Sequence, residues 1–229
     1  MMRVLSVIGI LFLGGAFFTS CITSGRVSTF VVLPDTQTYL EQCPEVFDSQ
    51  VDWLVANRKK IDAVFQVGDL TQDNSPVEWA YMQKAFHRIS QAGIPYSVVW
   101  GNHDIGSKPG KFSDVHNTAM ANKYFPLSDY KQKNYWGGSV DGKTLDNYYI
   151  NLRVSIGKEG NKVYQMLANY QRGVEGSRLG GEGYLRIVTF NRKTREIDVK
   201  TYSTWNKAYH PSEHHNFKFR EVDFDEYLR

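Results

Sequence analysis

The chain has 229 residues, 41% of them hydrophobic and 22% charged, with a formal net charge of +3. That composition excludes an intrinsically disordered chain and suits one globular domain, or two small ones. So small a charge, with no basic stripe interleaved with aromatics, gives no reason to expect a nucleic-acid partner, while the 14 Tyr, 13 Phe and 5 Trp suit a packed sheet.

The chain opens on a short basic start, Met1–Arg3, and the apolar run 4-VLSVIGILFLGGAFF-18, followed by 19-TSC-21. The run has the length of a signal-peptide core and is short for a membrane span. Small residues before a cysteine resemble a bacterial lipoprotein cleavage site. The expectation is therefore a signal peptide over 1–20, a lipid on Cys21 and a tether over 21–28. It includes export to the periplasm or cell envelope, with the membrane touched only through that lipid. The alternative is an ordinary signal peptide with Cys21 incidental. After cleavage Cys43 is the only other cysteine, so no disulfide framework forms within the mature chain.

The first strand, 29-TFVVLP-34, ends in 35-DTQ-37. A helix follows at about 45–60, where Phe47, Val51, Leu54 and Val55 recur at helical spacing. The strand 63-AVFQV-67 ends in 68-GDL-70, and the helix at 77–92 puts Trp79, Met82, Phe86 and Ile89 on one face before Gly93 stops it. The third strand, 95-PYSVVW-100, ends in 101-GNHD-104. This β-α-β-α-β order with continuous apolar strands predicts an α/β fold whose parallel sheet is covered on both faces. All three polar clusters fall at the C-terminal strand ends, the ligand edge of open α/β sheets. A loop over 105–113, a mixed segment near 114–125 and the aromatic stretches 135-YWGG-138 and 148-YYI-150 come next. Antiparallel hairpins are expected from 152–156, 163–170, 183–190, 196–203 and 217–224. The glycine-rich link over 173–183 is either a loop over a site or a flexible connection. No internal repeat is present.

The three clusters carry the chemistry. Asp35 and Gln37, two apart on an extended chain, share one side and offer a hard oxygen pair to a divalent cation. Asp69 has two carboxylate oxygens able to bridge two cations about 4 Å apart. Asn102 adds a carbonyl oxygen. His103 is a candidate proton donor to a leaving group, and Asp104 a candidate for fixing its tautomer and orientation. Each piece alone reads as a turn former or cap. Three such clusters at three successive strand ends of one sheet point to a site.

Asp35-Thr36-Gln37, Gly68-Asp69 and Gly101-Asn102-His103-Asp104 resemble the first three motifs of the calcineurin-like metallophosphoesterases. The first motif there is usually Asp-x-His; Gln37 stands in the histidine position, a change that some secreted bacterial members carry. The segments 163-VYQMLANYQ-171 and 180-GGEGYLRIVTF-190 also resemble the closing strands of those members. The resemblance covers about 29–150 and 153–224. It implies a metallophosphoesterase-like α/β sandwich and two divalent metal ions (Mn, Fe, Zn or Mg). Asp35 and Gln37 would hold the first metal, Asp69 both and Asn102 the second, with His103 near the leaving-group oxygen. The implied reaction is in-line hydrolysis of a small phosphate-ester substrate.

The family supplies its remaining ligands through a Gly-His and a Gly-His-x-His motif, and this chain has neither. His87 falls in a helix, His116 in a loop, and 210-HPSEHH-215 in a turn expected to be solvated. The strand at 148–150 and the segment from 153 onward flank the place where those motifs belong, which implies an internal deletion around 150–153 and an incomplete second half. With carboxamides in place of imidazoles, at most one weakly bound metal is expected, held by oxygens and waters. Two functions follow. One is a metal-dependent phosphoesterase acting on phosphomonoesters or phosphodiesters outside the cytoplasm. The other is a catalytically inactive remnant serving as a binding module. A structural envelope lipoprotein would leave the three clusters unexplained.

Overall fold

A run of β-branched and aromatic residues makes the first strand, β1 (Val27–Leu33), in the computed structural model, which describes residues 27–135, 151–156, 162–167, 170 and 179–224. The expected signal peptide, Cys21, the tether up to residue 26, the 148–150 strand and most of the glycine-rich link lie outside the described residues, while Val27 and Ser28, expected in the tether, belong to β1. A short helix, α1 (Gln37–Gln42), follows β1 directly. The expectation of extended chain over 35–37 is thus corrected: Thr36 has a helical backbone (φ −111°, ψ −1°).

Helix α2 (Pro44–Ala56) opens on a proline, whose missing N–H costs nothing at a first helical turn, and buries Val46, Phe47, Val51 and Leu54. It stops short of residue 60; the basic run Arg58–Lys60 forms a 3₁₀ turn with no buried residue to extend the α-helix. Strand β2 (Ala63–Gln66) leads to helix α3 (Pro76–Gln91). Ser75 and Glu78 close a capping box at its start, and Trp79, Met82, Phe86 and Ile89 form its buried face. Strand β3 (Tyr96–Ser97) is much shorter than expected; Val98, Val99 and Trp100 stay buried but leave the ladder. Two short helices, α4 (Ala119–Tyr124) and α5 (Leu127–Lys131), follow. The remaining strands are β4 (Asn151–Ile156), β5 (Lys162–Leu167), β6 (Tyr184–Asn191), β7 (Glu196–Ser203), β8 (Ala208–Tyr209) and β9 (Phe217–Phe219).

The main sheet runs β3-β2-β1-β6-β7-β8, with β9 also paired to β7, and β4-β5 form a separate hairpin. The pairs β1–β2 and β2–β3 are parallel; β1–β6 and β6–β7 are antiparallel. The expected architecture of a parallel β-α-β-α-β half followed by antiparallel strands is what the chain forms. One detail differs. Because β1, β2 and β3 step in one direction across the sheet, right-handed crossovers lay α2 and α3 on the same face. Val31, Leu33, Val64 and Leu185 meet both helices there. On the other face Val32, Tyr184, Val188 and Val199 pack with Tyr170 and Val222 rather than with crossover helices.

Register places the site. Val32 pairs with Arg186, so the end of β1 lies beside the start of β6. The turn before β6 therefore shares the sheet edge at which Asp35 and Asp69 emerge. Gly180 lies so close to Tyr39 of α1 that a Cβ would sit 3.0 Å from its ring, and the Gly183 N–H donates to the Tyr39 hydroxyl at 3.2 Å.

Candidate active site

Asp69 is the centre of the constellation. Its backbone lies in the left-handed region (φ +51°), which a short polar side chain tolerates better than most, and Gly68 before it has φ +101°. Only a glycine fits opposite: a Cβ on Gly101 would lie 2.0 Å from Asp69 Oδ1. This close approach lets the His103 N–H donate to Asp69 Oδ1 at 2.8 Å. The Asp69 carbonyl accepts from the Thr36 N–H at 3.1 Å and its hydroxyl at 3.3 Å. The three strand ends are thus tied to one another through Asp69. Burial raises the Asp69 pKa, against the lowering effect of the His103 N–H and of His103 itself.

Asp35 is half-buried, and its Oδ1 accepts the Gln37 N–H at 3.1 Å. Gln37 Oε1 is buried and has no hydrogen-bond partner. An orphaned carbonyl oxygen beside a carboxylate suits a cation, because burial without a partner is otherwise costly. Asn102 is exposed on the same turn as His103. The structure thus joins the loops bearing Asp35, Gln37, Asp69 and His103, and leaves Asn102 at the rim.

The expected part of Asp104 is corrected. It does not orient the His103 ring. Asp104 is fully buried, and its oxygens accept from Leu70 N–H (2.9 Å), Gly101 N–H (3.0 Å), and Thr71 N–H and hydroxyl (2.9 Å each). It staples the turn after β3 to the loop after β2. Burial pushes its pKa up to about 7, with the N–H donors pulling the other way. The group that faces His103 Nδ1 is the Gln72 carbonyl, 2.7 Å away. A carbonyl only accepts, so Nδ1 carries a proton and Nε2 is the nitrogen left to act.

Several contributors escaped the sequence reading. Gln66, buried, donates to the Pro34 and Gly68 carbonyls (3.3 and 2.9 Å) and accepts the Gly68 N–H at 2.7 Å. Phe112 stacks on His103, with ring centroids 4.0 Å apart and 30° between planes. The one available signal was placement: a buried polar residue at the end of β2, and an aromatic in an otherwise polar loop. The histidine cluster also differs from expectation. His214 is exposed, but His210 and His215 are half-buried, stacked with centroids 4.0 Å apart, and packed on Tyr184 and Tyr170 respectively. His87 and His116 are exposed.

The donors at the site are oxygens. Among the described residues, no group of three His, Cys, Asp or Glu side chains is placed to hold a metal. Asp35, Gln37 and Asp69 offer oxygens of the kind a hard cation takes, and do not supply the imidazoles a pair of transition metals prefers. No described helix is long and apolar enough to cross a membrane.

Known proteins similar to this chain include a bacterial relative and a plant enzyme. An uncharacterized protein of Bacillus subtilis (strain 168), YvnB, is 26% identical over 267 residues, an alignment that takes in 78% of this chain. The chain spans only 20% of that relative's length. A purple acid phosphatase from yellow lupin (Lupinus luteus) seeds resembles it with a TM-score of 0.44 at 12% identity, over 90% of this chain and 56% of the plant protein. The family model for calcineurin-like phosphoesterases matches residues 28–226. With that match running over nearly the whole sequence, the chain belongs to the calcineurin-like phosphoesterase family.

Proposed function

We propose that the chain is a divalent-cation-dependent phosphoesterase that hydrolyses small phosphomonoesters or phosphodiesters. The observation that carries this reading is the orphaned Gln37 Oε1 beside Asp35, on a loop tied to Asp69 and through it to His103. Asp35, Gln37 and Asp69 would hold the cation, with Asn102 a further oxygen at the rim. A divalent cation supplies charge neutralisation at a phosphoryl group and activation of water. The chain's own residues do the rest. The Gln72 carbonyl fixes the Nδ1 proton of His103, and Asp69 fixes its backbone. As an imidazolium, His103 gives its Nε2 proton to the leaving-group oxygen as the P–O bond breaks.

A second reading, a non-catalytic binding module, is favoured by a specific observation. The alignment with the Bacillus relative is 267 residues long, more than this 229-residue chain possesses, so part of the relative faces no residue here. That supports an internal deletion in which the Gly-His and Gly-His-x-His motifs were lost. One experiment separates the readings: Mn²⁺ stoichiometry of the folded 22–229 chain, with turnover of p-nitrophenyl and bis-p-nitrophenyl phosphate. Bound Mn²⁺ with turnover, both lost in Asp69→Ala, supports the phosphoesterase. A folded chain without turnover supports the module, whether or not Mn²⁺ is bound, and the absence of bound Mn²⁺ refutes the phosphoesterase.

We further infer export with a lipid on Cys21, from the apolar run over 4–18 and the Thr19-Ser20-Cys21 end. Fractionation of cells expressing the full chain tests it. Membrane association that Cys21→Ala abolishes is expected; association unchanged by that substitution would overturn it.

A further inference from the structure

The loop after the GNHD turn is built to hold Phe112 against the proton donor. Its ends are clamped: the Gly106 N–H donates to the Asn117 carbonyl (3.2 Å) and the Ser113 N–H to the Ile105 carbonyl (2.9 Å). The Ser107 N–H donates to Asp114 Oδ1 at 2.8 Å, and the Ser113 hydroxyl to the Asn102 carbonyl at 3.2 Å. A second anchor ties the Gly110 N–H to the Asp73 carbonyl at 2.9 Å. The fold of this loop demands glycine at 106, where φ is +154° and a Cβ would lie 1.7 Å from the Lys111 carbonyl oxygen. On this frame Phe112 covers one face of the His103 ring while remaining 38% exposed. A lone exposed phenylalanine is ordinary on a protein surface. One stacked on a candidate acid is not idle, because whatever receives a proton from Nε2 passes beside it.

Building on the phosphoesterase reading, we propose that Phe112 is a positioning and specificity residue. It holds the His103 ring in plane and forms an apolar wall that favours phosphate esters whose leaving group carries a flat aromatic ring. Three restraints meet on His103: Asp69 at its backbone, the Gln72 carbonyl at Nδ1 and Phe112 on its face. Only Nε2 faces the substrate. The leaving oxygen must come to that atom, so the group attached to it lies along the Phe112 ring. Aromatic pairs gain from offset or edge contacts that a small alkyl group does not make. The flanking Lys108 and Lys111 are exposed and add positive charge at the same mouth.

The test uses phenylphosphonate and methylphosphonate, whose C–P bonds resist hydrolysis, titrated into the Mn²⁺-loaded chain. Wild type is expected to bind the phenyl compound roughly 3- to 10-fold more tightly, the size of one aromatic contact. Phe112→Ala brings the two within about 2-fold, and Phe112→Tyr, which keeps the ring, restores the preference. With no ligand present, Phe112→Ala also shifts the His103 ring-proton NMR signals, which lose the neighbouring ring current; a residue that merely stabilised the loop would not produce that signature together with rescue by tyrosine. Equal binding by wild type, or a preference that survives Phe112→Ala, overturns the inference and leaves the phosphoesterase reading standing. Failure of wild type to bind either phosphonate overturns both.

Discussion

Replacing Asp104 by alanine tests whether this residue is a staple or a partner of the histidine. Its side chain accepts four hydrogen bonds, from Leu70 N–H, Gly101 N–H, Thr71 N–H and the Thr71 hydroxyl, in a fully buried position. After the substitution the Thr71 hydroxyl can fall back on the His103 carbonyl, already 3.3 Å away. The three backbone N–H groups have no such alternative. Each buried donor left unpaired costs about 1–3 kcal/mol, and relief of the carboxylate's own desolvation offsets part of the sum, so the net loss should be about 3–5 kcal/mol. That is a large share of the ~5–15 kcal/mol that holds a typical domain together. Equilibrium urea unfolding at pH 8, where the wild-type carboxylate is ionised, measures it. A loss below ~1 kcal/mol would show that water satisfies the three N–H groups, and the staple argument would be wrong.

Stability should also depend on pH in an unusual direction. Burial raises Asp104 from 3.8 to about 7, and raises Asp69 too, so between those values the folded chain binds more protons than the unfolded one. Stability from these groups therefore falls as pH rises from about 4 to about 7 and levels off above; Asp104→Ala should flatten the slope, and urea midpoints that climb across this window would refute it. Gly101→Ala drives a Cβ to 2.0 Å from Asp69 Oδ1 and 2.4 Å from its backbone nitrogen, so the folded yield or the melting temperature should collapse. Gly93→Ala is the control: it meets nothing within 4 Å and bears only the cost of φ +78°, about 1 kcal/mol. Gln37→Leu removes the orphaned Oε1 and should leave the metal-free chain as stable, or up to ~1 kcal/mol more stable, while shrinking the rise in melting temperature that Mn²⁺ produces. A full Mn²⁺ response in that variant would exclude Gln37 as a ligand.

The strands that frame the site were legible because β-branched runs such as 29-TFVVLP-34 and 196-EIDVKTYS-203 have few other uses. Helix α3 was legible because Trp79, Met82, Phe86 and Ile89 recur at one helical spacing. Helix α1 was not: six residues carry little periodicity, and its N-cap Thr36 directs its hydroxyl to Asp69 and Leu70 instead of to its own helix. The part played by Asp104 was also out of reach. Neighbours in sequence suggested a partnership with His103, whereas three of the four bonds come from Leu70 and Thr71, 34 and 33 residues away, brought in by the β2–β3 pairing. Likewise nothing in 210-HPSEHH-215 announces that two of its rings pack on tyrosines, because Tyr184 of β6 and Tyr170, packed on the same face of the sheet, are distant in sequence. Residue types at strand ends reveal a site; which of them touch depends on strand order, and that is a property of the whole sheet.

Strand order also explains what holds the geometry of the strand-end cluster. The bonds that hold Asp69, His103 and Asp104 join residues 33 or 34 apart or closer, all between the ends of β1, β2 and β3. None of those bonds calls on β6 or beyond. Protein–protein hydrogen bonds alone join these loops, so the arrangement should not need a cation to fold. In many small metal sites binding and folding are one event, so weak affinity and disorder go together. Here they separate: the number of donors limits affinity, and the sheet sets the geometry. It follows that a chelator should leave the folded structure intact while removing the cation. It follows too that imidazole donors introduced on the opposite side of the edge would meet carboxylates that the sheet already holds in place.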